Sequence, residues 1–441
     1  MDCKWEEFTL SELCHLITDG KHGDCENQEN SGFYFLSVKD VFGNQLNYEK
    51  ARQITESDFL ETHKRTKLEP GDVLFTNTGT IGRMAIAPED SKTYRTTFQK
   101  SVAILKPNRD LIIPRFLYYL LSFDKARLSN FAEGTTQKNL LLKDFRNFPV
   151  HIPPLSMQQD IVNILGTLDD KIELNQQMNR TLEGIARTLF KSWFIDFDPV
   201  RAKLDGRQPA GMDAETAALF PDSFEDSPFG KIPKGWKFKP VEELVEGVYD
   251  GPHATPKPSE TGPVFLGIKN FTGTSLDLAN IRHINEEDWP RWTKRVTPQT
   301  NDIVFTYEAT LGYFALIPDW LRCCLGRRIA LIRPKASDSN AHFLFHTFSG
   351  SFFQEFLNSR INHGSTVDRI LLTEFPSYPV LWPGDALIAT FEDLAGKHWR
   401  LIHNNQKQNQ GLIAVRDALL PKLLSGEIHV KDTEQVLETV A

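Results

Sequence analysis

Short apolar runs rich in β-branched residues recur along the first third of the chain, at 33–38, 72–76, 83–87 and 101–105. Gly, Pro and Asn bound each run, which predicts strands separated by turns. Glu69-Pro70-Gly71-Asp72 reads as a turn feeding one strand, and Thr78-Gly79-Thr80-Ile81-Gly82 as a turn between two of them. From Ile113 to Asn130 the period changes: Phe116, Leu117, Leu120 and Leu121 share one face of a predicted helix. The same order returns later as strands at Phe265–Ile268, Ile303–Thr306, Tyr313–Ile317 and Ile329–Arg333, then a helix from about Ala341 to Ser359.

That return is a repeat with a shift of 230 residues. Phe35-Leu36-Ser37-Val38-Lys39-Asp40 reappears as Phe265-Leu266-Gly267-Ile268-Lys269-Asn270. Asp72, Phe75, Thr76, Thr80 and Gly82 map onto Asp302, Phe305, Thr306, Thr310 and Gly312, and Gly134, Thr136 and Phe145 onto Gly364, Thr366 and Phe375. An internal repeat of this length means two copies of one module. Side chains that differ between the copies imply two related surfaces reading different things.

Each front part leads into a longer helical pattern. After Ile152-Pro153-Pro154, Ile161, Leu165, Leu168, Ile172, Asn175, Asn179, Leu182, Ala186, Leu189 and Trp193 alternate in steps of four and three. This is a heptad seam, apolar at both ends with amides in the middle. After Trp382-Pro383-Gly384 the second copy offers Leu387, Phe391, Leu394, His398, Leu401, Asn405, Gln408, Leu412, Val415 and Leu419. A helix of about 38 residues is about 57 Å long, too long for a small domain to bury alone, so each is expected to pair with the other. Asn175, Asn179 and Asn405 are expected to fix register, with Asn175 and Asn405 as the matched pair, because sliding would bury an unpaired amide.

The expected fold class is therefore α+β: two repeated mixed domains, each followed by a long helix, the helices pairing as an antiparallel coiled coil. The expected boundaries are 1–152 and 236–382 for the repeated domains, and 153–197 and 383–426 for the helices. Residues 198–235, rich in Pro, Gly and Asp, are expected to form a connector, and 427–441 a fraying tail.

Composition changes this picture little. The 441 residues are 40% hydrophobic and 24% charged, as in ordinary globular proteins. No apolar run reaches transmembrane length and the first residues have no signal-peptide core, so the cytoplasm is the expected location. The five cysteines (Cys3, Cys14, Cys25, Cys323, Cys324) form no zinc-type spacing and are expected to be reduced thiols, with no metal bound. A net charge of −8 argues at first against nucleic acid. Its distribution removes the objection: residues 1–150 carry 20 Lys and Arg against 21 Asp and Glu, and 250–380 carry 13 against 13. The acid excess lies in the helices, connector and tail, so each repeated domain could present a basic face.

Catalytic motifs are missing. No GxxxxGK[ST] or GxGxxG loop occurs, and no methyltransferase pair of a Gly-rich donor loop with an Asn/Asp-Pro-Pro-aromatic loop. His342 and His346 stand four apart, but Phe343 occupies the position where a zincin needs Glu, so they read as a packing or surface pair. Pro88-Glu89-Asp90 and Pro318-Asp319 lack the D/E-x-K partner of a nuclease site. The chain reads as a binder.

What remains are polar turns at matched positions: Thr76-Asn77-Thr78-Gly79-Thr80 with Thr306-Tyr307-Glu308-Ala309-Thr310, and Gly134-Thr135-Thr136-Gln137-Lys138-Asn139 with Gly364-Ser365-Thr366-Val367-Asp368-Arg369. A third pair is Asp19-Gly20-Lys21-His22 with Asp250-Gly251-Pro252-His253. Small residues let a backbone approach phosphates, while Gln, Lys, Arg and Asn suit base edges and phosphates. The alternative is that these turns repeat only because the fold needs them. The candidate DNA-contacting residues are Lys21, His22, Lys39, Thr78, Thr80, Arg83, Thr135, Thr136, Gln137 and Lys138 in the first copy. In the second they are His253, Lys269, Tyr307, Thr310, Ser365, Thr366 and Arg369.

This order of parts resembles the DNA-specificity (S) subunit of type I restriction–modification systems. The resemblance rests on Gly71-Asp72-Val73-Leu74 with Gly79-Thr80-Ile81-Gly82, on Gly134-Thr135-Thr136-Gln137-Lys138-Asn139-Leu140, and on Pro153-Pro154-Leu155 with Gln158-Gln159. Phe194-Ile195-Asp196-Phe197-Asp198-Pro199-Val200 and Ile232-Pro233-Lys234-Gly235-Trp236 resemble the segment between the family's two modules. The resemblance implies two target recognition domains, each reading half of a split duplex DNA sequence, with the helices setting the spacer. It further implies no catalysis by this chain. Two modification subunits would bring S-adenosylmethionine and adenine methylation, and restriction subunits ATP- and magnesium-dependent translocation and cleavage. Gln299-Thr300-Asn301 in place of the Pro-Gly turn, and Ala309 in place of Gly79, depart from the pattern and suggest that the second copy's first turn contacts DNA differently. Two alternatives stand beside this reading: a protein-interaction scaffold with two binding modules, and a stand-alone DNA nuclease.

Overall fold

The computed structural model describes residues 5–42, 44–132, 139–278, 281–335, 337–364 and 367–428. The chain divides into two compact units, one of residues 1–173 with 410–441 and the other of residues 174–409.

The first unit is built on a four-stranded antiparallel sheet in the order Cys14–Asp19, Val102–Pro107, Val73–Thr76, Met84–Ile86. A three-stranded sheet pairs Tyr34–Leu36 antiparallel with Arg52–Gln53 and parallel with Thr96–Phe98, and Glu6–Thr9 pairs with Pro149–Ile152. The second unit repeats this plan. Its four strands run Val245–Asp250, Ile329–Pro334, Ile303–Glu308, Thr310–Leu316. Its three-stranded sheet pairs Ser259–Leu266 antiparallel with Arg282–His283 and parallel with Cys323–Leu325, and Lys237–Pro240 pairs with Pro379–Trp382.

The expected strands lie within about two residues of the observed ones, except that Ser259–Leu266 and Thr310–Leu316 begin earlier. Both expected middle helices are broken. The first splits into Pro114–Phe123 and Lys125–Asn130 at the buried Asp124, the second into Ser337–Ser349 and Ser351–Ser359 at Gly350. A helix over Glu56–Thr66, capped by the Thr55 side chain on the Asp58 amide, was not apparent in the pattern.

The long helices run Leu155–Phe194 and Asp385–Leu424, 40 residues each. Gln158 anchors the start of the first: its fully buried amide accepts from Ile113 N–H (3.0 Å) and donates to the carbonyls of Leu111 and Pro153 (3.0 and 2.9 Å). Each unit's core uses the start of one long helix and the end of the other. In the first, Ile161 and Leu165 pack with Leu419, Leu423 and Leu424; in the second, Leu387 and Phe391 pack with Phe190, Trp193 and Phe194. Trp193 and Phe194 map by the 230-residue shift onto Leu423 and Leu424, so the two cores are built alike. Burying side chains of this size stabilises by about 2–3 kcal/mol each.

Every residue of the first helix's expected seam is buried or half-buried. The second helix departs from expectation, because Leu394 and Leu401 are exposed. The buried stripe there is Ile388, Phe391, Ala395, Trp399 and Ile402, whose neighbours are the aromatic side chains of its own unit.

The amide pairing also differs from expectation. Asn175 does not meet Asn405; its Nδ2 donates to Gln408 Oε1 and Asn409 Oδ1, both at 2.8 Å. Asn405 donates instead to Asn179 Oδ1 at 2.9 Å. Chain order rises on one helix as it falls on the other, so these segments are antiparallel. The 230-residue shift then carries Asn175 onto Asn405 and Asn179 onto Asn409, turning one amide pair into the other. Matched residues therefore lie one turn apart across the seam.

Segment 198–235 is itself folded. It forms helices Asp198–Leu204 and Ala214–Ala218 and a hairpin of Phe224–Ser227 with Gly230–Pro233. Val200, Phe220 and Trp236 lie in the second unit's core. Cys14, Cys25, Cys323 and Cys324 are free and buried, and burial pushes the Cys14 and Cys324 thiols up to about 12. Among the described residues no His, Cys, Asp and Glu cluster could hold a metal, and no helix is long and apolar enough to cross a membrane.

Candidate nucleic-acid interface

The first-unit site forms where the strand Val73–Thr76 runs out of sheet. Backbone bonds pin its end on both sides: Asn77 N–H donates to Ser101 O (3.0 Å) and Leu140 N–H to Asn77 O (2.8 Å). The second unit repeats both, from Tyr307 N–H to Arg328 O (3.1 Å) and from Ile370 N–H to Tyr307 O (2.8 Å). The following turn is closed by the Thr76 hydroxyl, which accepts from Arg83 N–H at 2.9 Å, and by Thr306, which accepts from Tyr313 N–H at 3.2 Å. This is why those threonines repeat. Asp72 and Asp302 also serve the frame: each accepts from the backbone three residues earlier, and each is paired with a cation, Lys106 (2.7 Å) and Arg333 (2.7 Å).

The substitutions in the second unit's first turn leave its backbone in the same region. Asn301 stands at φ 65° where Gly71 has 90°, and Ala309 at φ 70° where Gly79 has 78°. The turn is held in the left-handed region by its surroundings, and Asn tolerates that region better than most residues.

On this frame the first unit opens a cleft of about 490 Å³ lined by Asp19, His22, Asn77, Thr78, Lys100, Asn139 and residues 140–142. Thr78 Oγ1 donates to Asn139 Oδ1 at 2.8 Å across it. At the matched bridge of the second unit Glu308 faces Arg369, and Glu308 pairs with Arg328 at 3.3 Å. The same place thus carries neutral hydrogen-bonding groups in one unit and charged ones in the other.

The structure separates the candidate residues into groups. His22 and Thr78 share the first unit's cleft with Asn139, and Thr80 is exposed on the turn that carries Thr78, while Arg369 is exposed beside Glu308 in the second unit. Thr310 is half-buried at the start of its strand. Lys39 and Lys269 are exposed on matched single turns, each braced by a bond from residue 40 or 270 back to residue 37 or 267, and neither meets a carboxylate among the described residues. Lys21 is committed elsewhere: its ammonium bonds to Asp58 (3.0 Å) and Glu61 (3.1 Å), and these bonds raise its pKa above the ordinary lysine range. Arg83 donates to the Val38 carbonyl (3.0 Å) and braces the loop. Tyr307 is a correction. It lies in the core, because Phe305 and Tyr307 are two apart on one strand and face the same side. Thr135, Thr136, Gln137, Lys138, Ser365 and Thr366 lie outside the described residues.

Gly20 and Gly251 have a steric reason. A Cβ at either would lie 1.9 Å from Phe98 O or 2.2 Å from Gly326 O, both backbone atoms. The turns they open meet two arginines that sequence reasoning passed over. Asp19 meets His22 Nε2 at 2.8 Å and Arg65 Nη2 at 3.3 Å; Asp250 meets His253 Nε2 at 2.9 Å and Arg295 Nη1. Burial works against the charge on Asp250, but the bonds from His253 and Arg295 prevail and lower its pKa. The signal was available, since Lys64-Arg65 recurs as Lys294-Arg295 at the common shift.

The two units thus carry different polar side chains at one matched edge of the same scaffold. Residues 3–184 match the family model described as the type I restriction modification DNA specificity domain. Over most of its length the chain is similar to specificity subunits of type I restriction enzymes. It is 24% identical to the Type I restriction enzyme HindI specificity subunit of Haemophilus influenzae, over 96% of this chain and 99% of that one. It is 26% identical to the MjaIX specificity subunit of Methanocaldococcus jannaschii, over 86% and 83%. The fold resembles the crystal structure of the type I restriction–modification S subunit from M. genitalium, with a TM-score of 0.54, 14% identity and 96% of both chains covered.

Proposed function

We propose that this chain reads a bipartite duplex DNA sequence and performs no catalysis itself. Residues 1–152 and 236–382 act as the two target recognition domains. The helices at 153–197 and 383–426 pair as an antiparallel coiled coil that sets the spacer, 198–235 connects the copies and 427–441 is the tail. Two modification subunits bind the chain and supply S-adenosylmethionine-dependent adenine methylation. Restriction subunits add ATP- and magnesium-dependent translocation and cleavage. All of this takes place in the cytoplasm.

One observation carries the reading: the same cleft edge is built twice on the same backbone, with Thr78 and Asn139 in one copy and Glu308 and Arg369 in the other. Matched frames with different polar side chains suit two half-sites of different sequence. The test exchanges residues 236–380 for the same region of a relative and selects binders from a random duplex pool, using the full chain assembled with type I modification subunits. The expected result is a change confined to one half of the selected sequence. A change in both halves, or in neither, would refute independent readers. Absence of salt-dependent DNA binding would favour a protein scaffold, and cleavage of DNA by the chain alone with magnesium would favour a nuclease.

A further inference from the structure

We propose that His22 with Arg65 in the first unit, and His253 with Arg295 in the second, are equivalent phosphate clamps that hold the DNA backbone at each half-site without reading bases. The inference rests on the DNA-recognition reading above and adds to it which contacts are independent of sequence.

Both clusters are built alike. A largely buried carboxylate, Asp19 or Asp250, takes the imidazole Nε2 three residues on, at 2.8 or 2.9 Å. It also takes the guanidinium of an arginine more than forty residues away. That arginine reaches past the carboxylate to the next carbonyl as well, Gly20 O in one unit and Gly251 O in the other. The carboxylates face inward, their side chains 11% and 27% exposed, while the imidazoles and guanidiniums face outward. The two histidines are each 62% exposed, and Arg65 and Arg295 are 48% and 51% exposed. A purely structural brace has no need to display these groups so evenly.

Free donors remain on that outer side. Arg65 uses only Nη2 for its bonds and Arg295 only Nη1, so the other guanidinium N–H groups of both lack a partner among the described residues. With Nε2 on the carboxylate, each imidazole turns Nδ1 to the solvent, where it can donate to a phosphate only when the ring carries both protons. A guanidinium fork with open donors, fixed by a carboxylate behind it, matches a phosphate well. His22 also lines the first unit's cleft beside Thr78, Lys100 and Asn139, so the clamp stands on the rim of the proposed reading surface.

The pattern of identity and difference decides the ligand. Around the clamps the copies diverge: Lys21 against Pro252, Thr78 against Glu308, Asn139 against Arg369. The Asp, His and Arg do not. Two half-sites of different sequence share one feature, the phosphate backbone, and an unchanged arginine and imidazole beside divergent side chains suit that feature.

The test measures binding of the full chain, with modification subunits, to its selected duplex across a salt series. Arg65→Gln and Arg295→Gln should each weaken binding about tenfold at fixed salt and reduce the salt slope by about one, and the double variant by about two. The sequence selected from a random pool should stay the same. Because the arginines also hold a loop carbonyl, His22→Gln and His253→Gln provide variants that leave that contact intact; each should weaken binding in the same direction with an unchanged selected sequence. Folded variants with an unaltered slope and affinity would make the clusters structural braces only. An altered consensus would make them base readers. A wild-type complex with no salt slope would instead overturn the DNA-recognition reading itself.

Discussion

Ala309 holds a side chain at φ 70°, in the left-handed region where Gly79 stands in the first unit. That conformation costs an alanine about 1–2 kcal/mol, partly offset by the smaller entropy it loses on folding. Ala309→Gly should therefore stabilise the second unit by about 1 kcal/mol, and Gly79→Ala should destabilise the first by a similar amount. Urea unfolding with an unchanged slope checks both, and a neutral Ala309→Gly would show that the turn relaxes without its φ being held. The substitution of glycine by alanine was visible in the sequence, but its consequence was not. The strand end is pinned by the bond between Tyr307 and Ile370, so the backbone keeps its course although the residue changes. Tyr307 shows the reverse. Its alternation with Phe305 placed it on the core face, and that signal outweighs the polarity of a hydroxyl in a turn.

At the scale of elements, the first long helix was legible residue by residue because its apolar positions mark one continuous seam. The second was legible in extent only. Its N-terminal half packs on aromatic side chains of its own unit, which turns the stripe from Leu394 and Leu401 to Ala395, Trp399 and Ile402. That packing explains His342 and His346. His342 Nδ1 meets Glu392 Oε2 on the long helix at 2.6 Å, and His346 lies against Trp399 and Phe190. Burial pushes His346 down to about 3, aided by His342 and Arg187, and pushes His403 down to about 4. Both pKa values lie below the unfolded value of about 6.5, so the unfolded chain binds more protons at acid pH. Stability is full above that value and is lost as pH falls toward 4, by about 1.4 kcal/mol per pH unit for each histidine. Chemical unfolding of the second unit between pH 7 and 4.5 should show this loss, and His346→Phe should remove one proton from its slope. An unchanged slope in a folded variant would mean that His346 is protonated in the native state.

For the whole molecule, the repeat, most strands and both long helices could be read from periodicity, while the make-up of each unit could not. Leu423 and Leu424 join the first unit's core across more than two hundred residues of chain, and no local pattern reports such a contact. The proposed spacer role has a sharp consequence. Deleting one heptad from the first helix, and its match 230 residues on from the second, removes about 10.5 Å of helix from each and turns each by only about 20°. If the helices set the distance between readers, the preferred spacer should shorten by about three base pairs, since bases rise by about 3.4 Å. Both half-sites should be unchanged. Three base pairs also carry roughly 100° of DNA twist, which the helices do not follow, so twisting or bending must absorb it. Affinity for the best shortened site should therefore remain below that of the original complex. Selection from pools with spacers of every length would measure both effects. An unchanged spacer in a folded double deletion would remove the helices from the role of distance-setting element, and altered half-sites would show that the readers are not independent of them.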